Sequence, residues 1–123
     1  MFDRELALVI LCQIDSSVQT ILKRFRPIRS PDDFTGSDAG LEKLDAICMQ
    51  LIAIGESLKN LDKVTDNSLL SHYPNIEWKR AKGLRDIITH HYFDLNAEAI
   101  YGVCEQYIEE LGFAVQKIIQ NLT

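Results

Sequence analysis

Arg85, Asp86, His90, His91 and Tyr92 fall within a single run of eight residues. They bring together a permanent cation, two groups of the type that titrates near neutral pH, a carboxylate and a phenol. Such groups can build a site that handles phosphate. On a helix turning about 100° per residue, Arg85 and Tyr92 lie within about 20° of one face. Asp86 and His90 are four apart, so the carboxylate could orient the imidazole and raise its pKa. Arg85 and His90, however, point about 140° apart. Either the helix frays near His90 or a second subunit supplies the missing partner. The plain alternative is a solvated helix face with an intrahelical Asp–His contact and a half-buried tyrosine.

Upstream, Lys79, Arg80 and Lys82 lead into Arg85 and form a short cationic strip that would draw an anionic ligand. A solvated charged face accounts for the strip equally well. His72 stands alone near a loop, and His91 points about 100° away from His90, so at most one histidine of the pair is chemical. The spacing offers no metal site: Asp86 and His90 have no third ligand at a workable interval.

Helices must position these groups. Leu11, Ile14, Val18, Ile21 and Phe25 recur at steps of three and four, predicting a first helix from about Asp3 to Phe25, ended by Pro27. A loop through Ser30, Pro31, Asp32 and Asp33 runs as far as Gly36. Ser37 or Asp38 can cap a second helix, along which Leu41, Leu44, Cys48, Leu51, Gly55 and Leu58 trace an apolar stripe to about Leu61. Gly55 costs that helix about 1 kcal/mol relative to alanine, which suggests that a neighbour approaches closely there.

A short helix over 66–72, capped by Thr65, precedes Tyr73 and Pro74. The motif helix begins near Ile76 and carries Arg85 through Tyr92. Phe93–Leu95 reads as a turn, and a last helix capped by Asn96 runs to Leu122. No segment alternates with period two. The expected fold is all-α, a small antiparallel bundle of four to five helices in a single domain over residues 1–123.

Composition sets the remaining bounds. A chain of 123 residues is one domain in size, and 46% hydrophobic with 25% charged residues is the balance of a soluble globular protein. A net charge of -5 argues against a surface broadly coated for nucleic acid, though not against a local basic groove. Cys12, Cys48 and Cys104 form no CxxC pair and read as small buried hydrophobes in a reducing cytoplasm. Asp3, Arg4 and Glu5 precede the first apolar run, unlike a secretory signal. The uncharged stretch from Leu6 to Ile14 is far below the roughly 20 residues of a membrane span.

The run Arg85-x4-His90-x-Tyr92 resembles the signature of HEPN domains, specifically the R-x4-H-x-Y form of HepT-like toxins. Ile54–Gly55–Glu56 resembles that family's I-G-E stretch. Tyr73–Pro74–Asn75–Ile76–Glu77–Trp78, followed by Gly83–Leu84–Arg85–Asp86, is similar to its approach to the catalytic helix. Leu84 stands where methionine is common, Asp86 where asparagine is, and His91 is an extra imidazole.

The resemblance implies a homodimeric HEPN-type bundle in which two motifs share one cleft. It implies a metal-independent RNA endonuclease, without cofactor, that is the toxin of a type VII-like toxin–antitoxin pair. The implied partner is a minimal nucleotidyltransferase that transfers AMP to the motif tyrosine. Carried across, Arg85 and His90 are the catalytic residues, Asp86 is supporting and Tyr92 is the modification site. Lys79, Arg80 and Lys82 become RNA-binding candidates. A carboxylate at position 86 would repel a phosphate unless it is tied to His90. The alternative is a HEPN module that binds a nucleotide or a nucleotidyltransferase without cutting, or a purely structural helical dimer.

Overall fold

The computed structural model describes residues 2–123, and every regular element among them is helical. Helix α1 spans Arg4–Phe25, α2 Asp32–Thr35, α3 Asp38–Val64, α4 Trp78–His90, α5 Ala97–Gln106 and α6 Ile108–Leu122. Single 3-10 turns occupy Leu70–His72 and Tyr92–Asp94. The all-α expectation holds, with six α-helices where four or five were expected.

Capping fixes the long elements. Asp3 accepts the Leu6 amide at 3.0 Å, and Ser37 accepts the Gly40 amide at 3.0 Å. Asn96 accepts from both Glu98 and Ala99. Each satisfies an amide that the first helical turn leaves without a partner.

Helix α1 lies against both α3 and α6, and α4 packs on α3. Ala7, Ile10, Leu11, Ile14, Val18 and Ile21 of α1 are buried in a core shared with Ile47, Leu51, Ile54 and Leu58 of α3 and Leu111, Val115 and Ile118 of α6. By length and composition α1 is apolar enough to cross a membrane, but that stripe serves the interior of the bundle. Gly112 lets α6 close on α1, since a Cβ there would meet Val18 Cγ1 at 2.8 Å.

Several boundaries differ from expectation. The 30–36 loop contains the single turn α2, which delivers Phe34 fully buried beside Phe25, with ring centroids 6.2 Å apart. The expected 66–72 helix is reduced to Leu70–His72. Asp66 and Asn67 adopt φ of 54° and 59°, left-handed conformations that end a helix and that these residue types tolerate. Thr65 therefore closes α3, its hydroxyl donating to Leu61 O at 2.8 Å.

The last helix breaks at Tyr107. Its ring is buried under the Arg80 guanidinium, 4.7 Å from the centroid, and its hydroxyl donates to Glu77 O at 2.8 Å. Leu41, expected on the buried stripe, is exposed. So is Cys12, whereas Cys48 and Cys104 are buried as expected.

Candidate functional site

The site begins with a glycine. A Cβ at Gly55 would stand 2.9 Å from Arg85 Cβ and 3.1 Å from Ala81 O. Its missing side chain therefore lets α4 settle onto α3 at Arg85. The helices run antiparallel, as successive contacts show: Asp45 with Tyr92, Glu56 with Arg85, Asp62 with Lys82.

Two carboxylates hold the Arg85 guanidinium from different sides. Glu56 Oε1 lies 2.6 Å from Nε, an ion pair without the alignment of a hydrogen bond, since the buried Nε has no well-directed acceptor. Asp86 Oδ1 accepts from Nη1 at 3.0 Å. An arginine fixed at Nε and one edge of Nη1 still presents its remaining N–H groups outward. The partly exposed pairs contribute little to stability, but they restrict where the fork can point.

Asp86 differs from expectation. Its carboxylate faces Arg85 and Lys59, whose Nζ lies 3.7 Å away, instead of making the contact with His90 that the spacing allows. The two residues are four apart, but the arginine fork and the α3 lysine sit closer to the carboxylate. The Arg85 hydrogen bond, with Lys59 beside it, holds Asp86 below the usual carboxylate range. Its negative charge is thus spent on two cations before any phosphate arrives.

His90 is the last residue of α4, exposed in a shallow hollow with Asp86, Ile87 and His91. Its side chain makes no hydrogen bond among the described residues. Arg85 turns toward α3 and His90 turns toward solvent, as their angular separation requires. The helix ends at His90, so the motif does not fray into a shape that unites them.

Tyr92 lies beyond that end, in the 3-10 turn, so the shared helical face with Arg85 does not exist. Its hydroxyl donates instead to the Asp45 carboxylate of α3, and this contact raises the phenol's pKa. Asp45 and Glu56 are eleven residues apart, about 16 Å along α3, which separates the Tyr92 hydroxyl from the Arg85 clamp. Phe93 follows, stacked edge-on to Tyr92 at 5.9 Å and 99% exposed.

The expected cationic strip is only partly free. Lys82 pairs with Asp62, and Arg80 lies over Tyr107. Lys79 shares the outer face of α4 with His90, but eleven residues, about 16 Å, away. The residues that sequence reasoning missed are Asp45, Glu56 as a clamp, and Lys59. All come from α3, and only the Ile54–Gly55–Glu56 run offered a signal for any of them. Among the described residues, no three His, Cys, Asp or Glu side chains converge as metal ligands would.

Comparison with known proteins identifies the family. The family described as Ribonuclease HepT-like matches residues 18–118. Two proteins named as candidate RNases in Methanocaldococcus jannaschii are 31% and 30% identical over 77 residues each, 63% of this chain in both cases and 60% and 63% of their own lengths. A third, from Caldanaerobacter subterraneus subsp. tengcongensis, is 33% identical over 76 residues, 62% of this chain and 64% of its own. The chain thus spans somewhat less than two thirds of the curated relatives it matches. No solved structure matches it at a comparable level.

Proposed function

The chain belongs to the HepT-like ribonuclease family, and from that membership we propose that it is a metal-independent RNA endonuclease whose active site is shared by two copies. The observation that carries this reading is the Arg85 fork, clamped by Glu56 and Asp86 beside an exposed His90 it does not touch. A site so divided needs a second copy. Ile87 on α4, Met49 on α3 and Phe93 are large exposed apolar side chains around the motif, and a two-fold pairing would bury them. Facing α4 helices would then set Arg85 of one copy near His90 of the other.

In the proposed reaction, the ribose 2′-oxygen attacks the adjacent phosphorus and the 5′-oxygen leaves. The products are a 2′,3′-cyclic phosphate and a 5′-hydroxyl. One His90 takes the 2′ proton or donates one to the leaving oxygen. Arg85 holds the non-bridging oxygens and stabilises the charge that grows on them. Dependence on the 2′-hydroxyl confines the chemistry to RNA.

We assign the activity to a cytoplasmic toxin whose partner is a minimal nucleotidyltransferase, with Tyr92 as the AMP acceptor. AMP at Tyr92 would put a phosphate beside Asp45 and bulk on the turn that follows His90, displacing that turn from α3 and crowding the cleft. The non-catalytic alternative, a module that binds a nucleotide or a nucleotidyltransferase, keeps the Tyr92–Asp45 contact but leaves the Arg85 clamp without a purpose. The test is digestion of RNA in excess chelator. Cyclic phosphate ends, absent when a 2′-deoxy residue occupies the cut site, are expected. An intact substrate would overturn the reading.

A further inference from the structure

The outer face of α3 carries a feature that the motif does not use. Glu56, Ser57, Lys59, Asn60 and Lys63 line an open groove of about 620 Å³. Residues 56, 59, 60 and 63 follow the i, i+3, i+4, i+7 spacing of one helix face. The groove starts at the Arg85 clamp, since Glu56 is one of its walls and Lys59 reaches Asp86 at 3.7 Å.

Its charges are available. Glu56 is already matched by Arg85. The Lys59–Asp86 pair is long and solvent-exposed, the kind of contact that contributes least and yields to a stronger anion. Lys63 makes no ion pair among the described residues. Lys59 and Lys63 are one turn apart, about 6 Å of rise, on the order of the step between successive phosphates of an extended strand. Ser57 and Asn60 add uncharged donors between them. Beyond Lys63 the surface continues into a second hollow with Phe2 and His72, and Asp66 borders it there. The α4 strip offers less, because Lys82 and Arg80 are engaged and Lys79 is remote from the clamp.

We propose that this α3 groove is a phosphate-backbone track for single-stranded RNA, delivering the chain to Arg85, with Lys59 and Lys63 as its cations. The proposal rests on the ribonuclease reading. RNA phosphates would draw Lys59 from Asp86 while Arg85 retains that carboxylate, so entry of the strand costs no buried charge. Contacts of this kind are independent of base sequence and weaken with salt.

The test uses His90→Ala protein, which binds without cutting, and a fluorescent single-stranded RNA titrated at several salt concentrations. The double variant Lys59→Ala/Lys63→Ala should bind about tenfold or more weakly, and its slope of log affinity against log salt should fall by about 1.4, two contacts at ~0.7 each. Lys23→Ala, on α1, serves as the control for loss of one surface cation. Unchanged affinity and slope in the double variant would overturn the inference, as would a larger effect from Lys79→Ala or no RNA binding at all. With His90 intact, cleavage separates the two readings. If the parent cuts RNA and the double variant keeps its KM, the track fails while the ribonuclease stands. If the parent does not cut, the ribonuclease reading itself fails.

Discussion

Glu56 Oε1 of α3 lies 2.6 Å from Arg85 Nε of α4, and Gly55, the residue before Glu56, is what lets the two helices come close enough for that contact. One residue sets the approach and the next sets the direction of the guanidinium. A Glu56→Gln change keeps the shape and removes the charge. Cleavage efficiency should fall about tenfold, equivalent to about 1.4 kcal/mol of transition-state stabilisation. The melting temperature should scarcely move, because both side chains are substantially exposed. Activity and melting curves measured on the same preparation check this, and parallel losses in both would contradict it.

Substitution of glycines by alanine should have opposite signs at two sites. Gly55→Ala forces a Cβ into Arg85 Cβ and Ala81 O, so the urea midpoint should drop by the equivalent of about 1–3 kcal/mol. Gly102→Ala, in α5 with nothing within 4 Å of the added Cβ, should gain about 0.5–1 kcal/mol from helix propensity alone. Equal effects at both positions would mean that α3 and α4 are not in close contact at Arg85.

If Tyr92 is the AMP acceptor of the proposed toxin, Tyr92→Phe should keep RNA cleavage yet resist neutralisation by a cognate nucleotidyltransferase, read as persistent growth arrest on co-expression. Asp45→Asn leaves an acceptor for the hydroxyl without the full charge. It should lower the Tyr92 pKa from its raised value, measured by ultraviolet titration of phenolate, since the Asp45 hydrogen bond is the largest cause of that shift. No change in the titration would show that the turn does not dock on Asp45.

Alkali should destabilise the fold in a defined window. Burial pushes the Cys48 and Cys104 thiols from 9.0 to about 12 and the Tyr107 phenol from 10.0 to about 12. Each folded value is raised, so the stability these groups provide is full below pH 9 and is lost as pH climbs toward 12. Melting temperature should therefore fall from about pH 9 upward. Thiol reagents at neutral pH should label Cys12 rapidly and the two buried cysteines only after unfolding. Rapid labelling of all three would contradict the packing.

Much of this molecule can be read from residue spacing. The apolar stripes of α1 and α3 predict what they bury, with Leu41 the exception, and Ser37 and Asn96 announce their caps. Gly55 announces a close neighbour, and the neighbour is Arg85. What spacing misses comes from tertiary partners. Asp86 and His90 sit four apart and still do not pair, because Arg85 and Lys59 take the carboxylate first. Tyr92 leaves the motif helix for Asp45, forty-seven residues back. The break falls at Tyr107, whose ring and hydroxyl meet Arg80 and Glu77 across the bundle, contacts that no periodicity within α5 and α6 reveals. Asp66 and Asn67 are the exception: two left-handed-tolerant residues together were a local sign that α3 ends there.

In the proposed reaction, Arg85 and His90 together cut RNA. Its most direct test is the single-turnover cleavage rate of a defined RNA in chelator by the parent protein and by His90→Ala, with circular dichroism confirming equal helix content. Cleavage by the parent and a loss of about 100-fold or more in the variant are expected, the scale of a proton-transfer group. A variant that cuts as fast as the parent would contradict this.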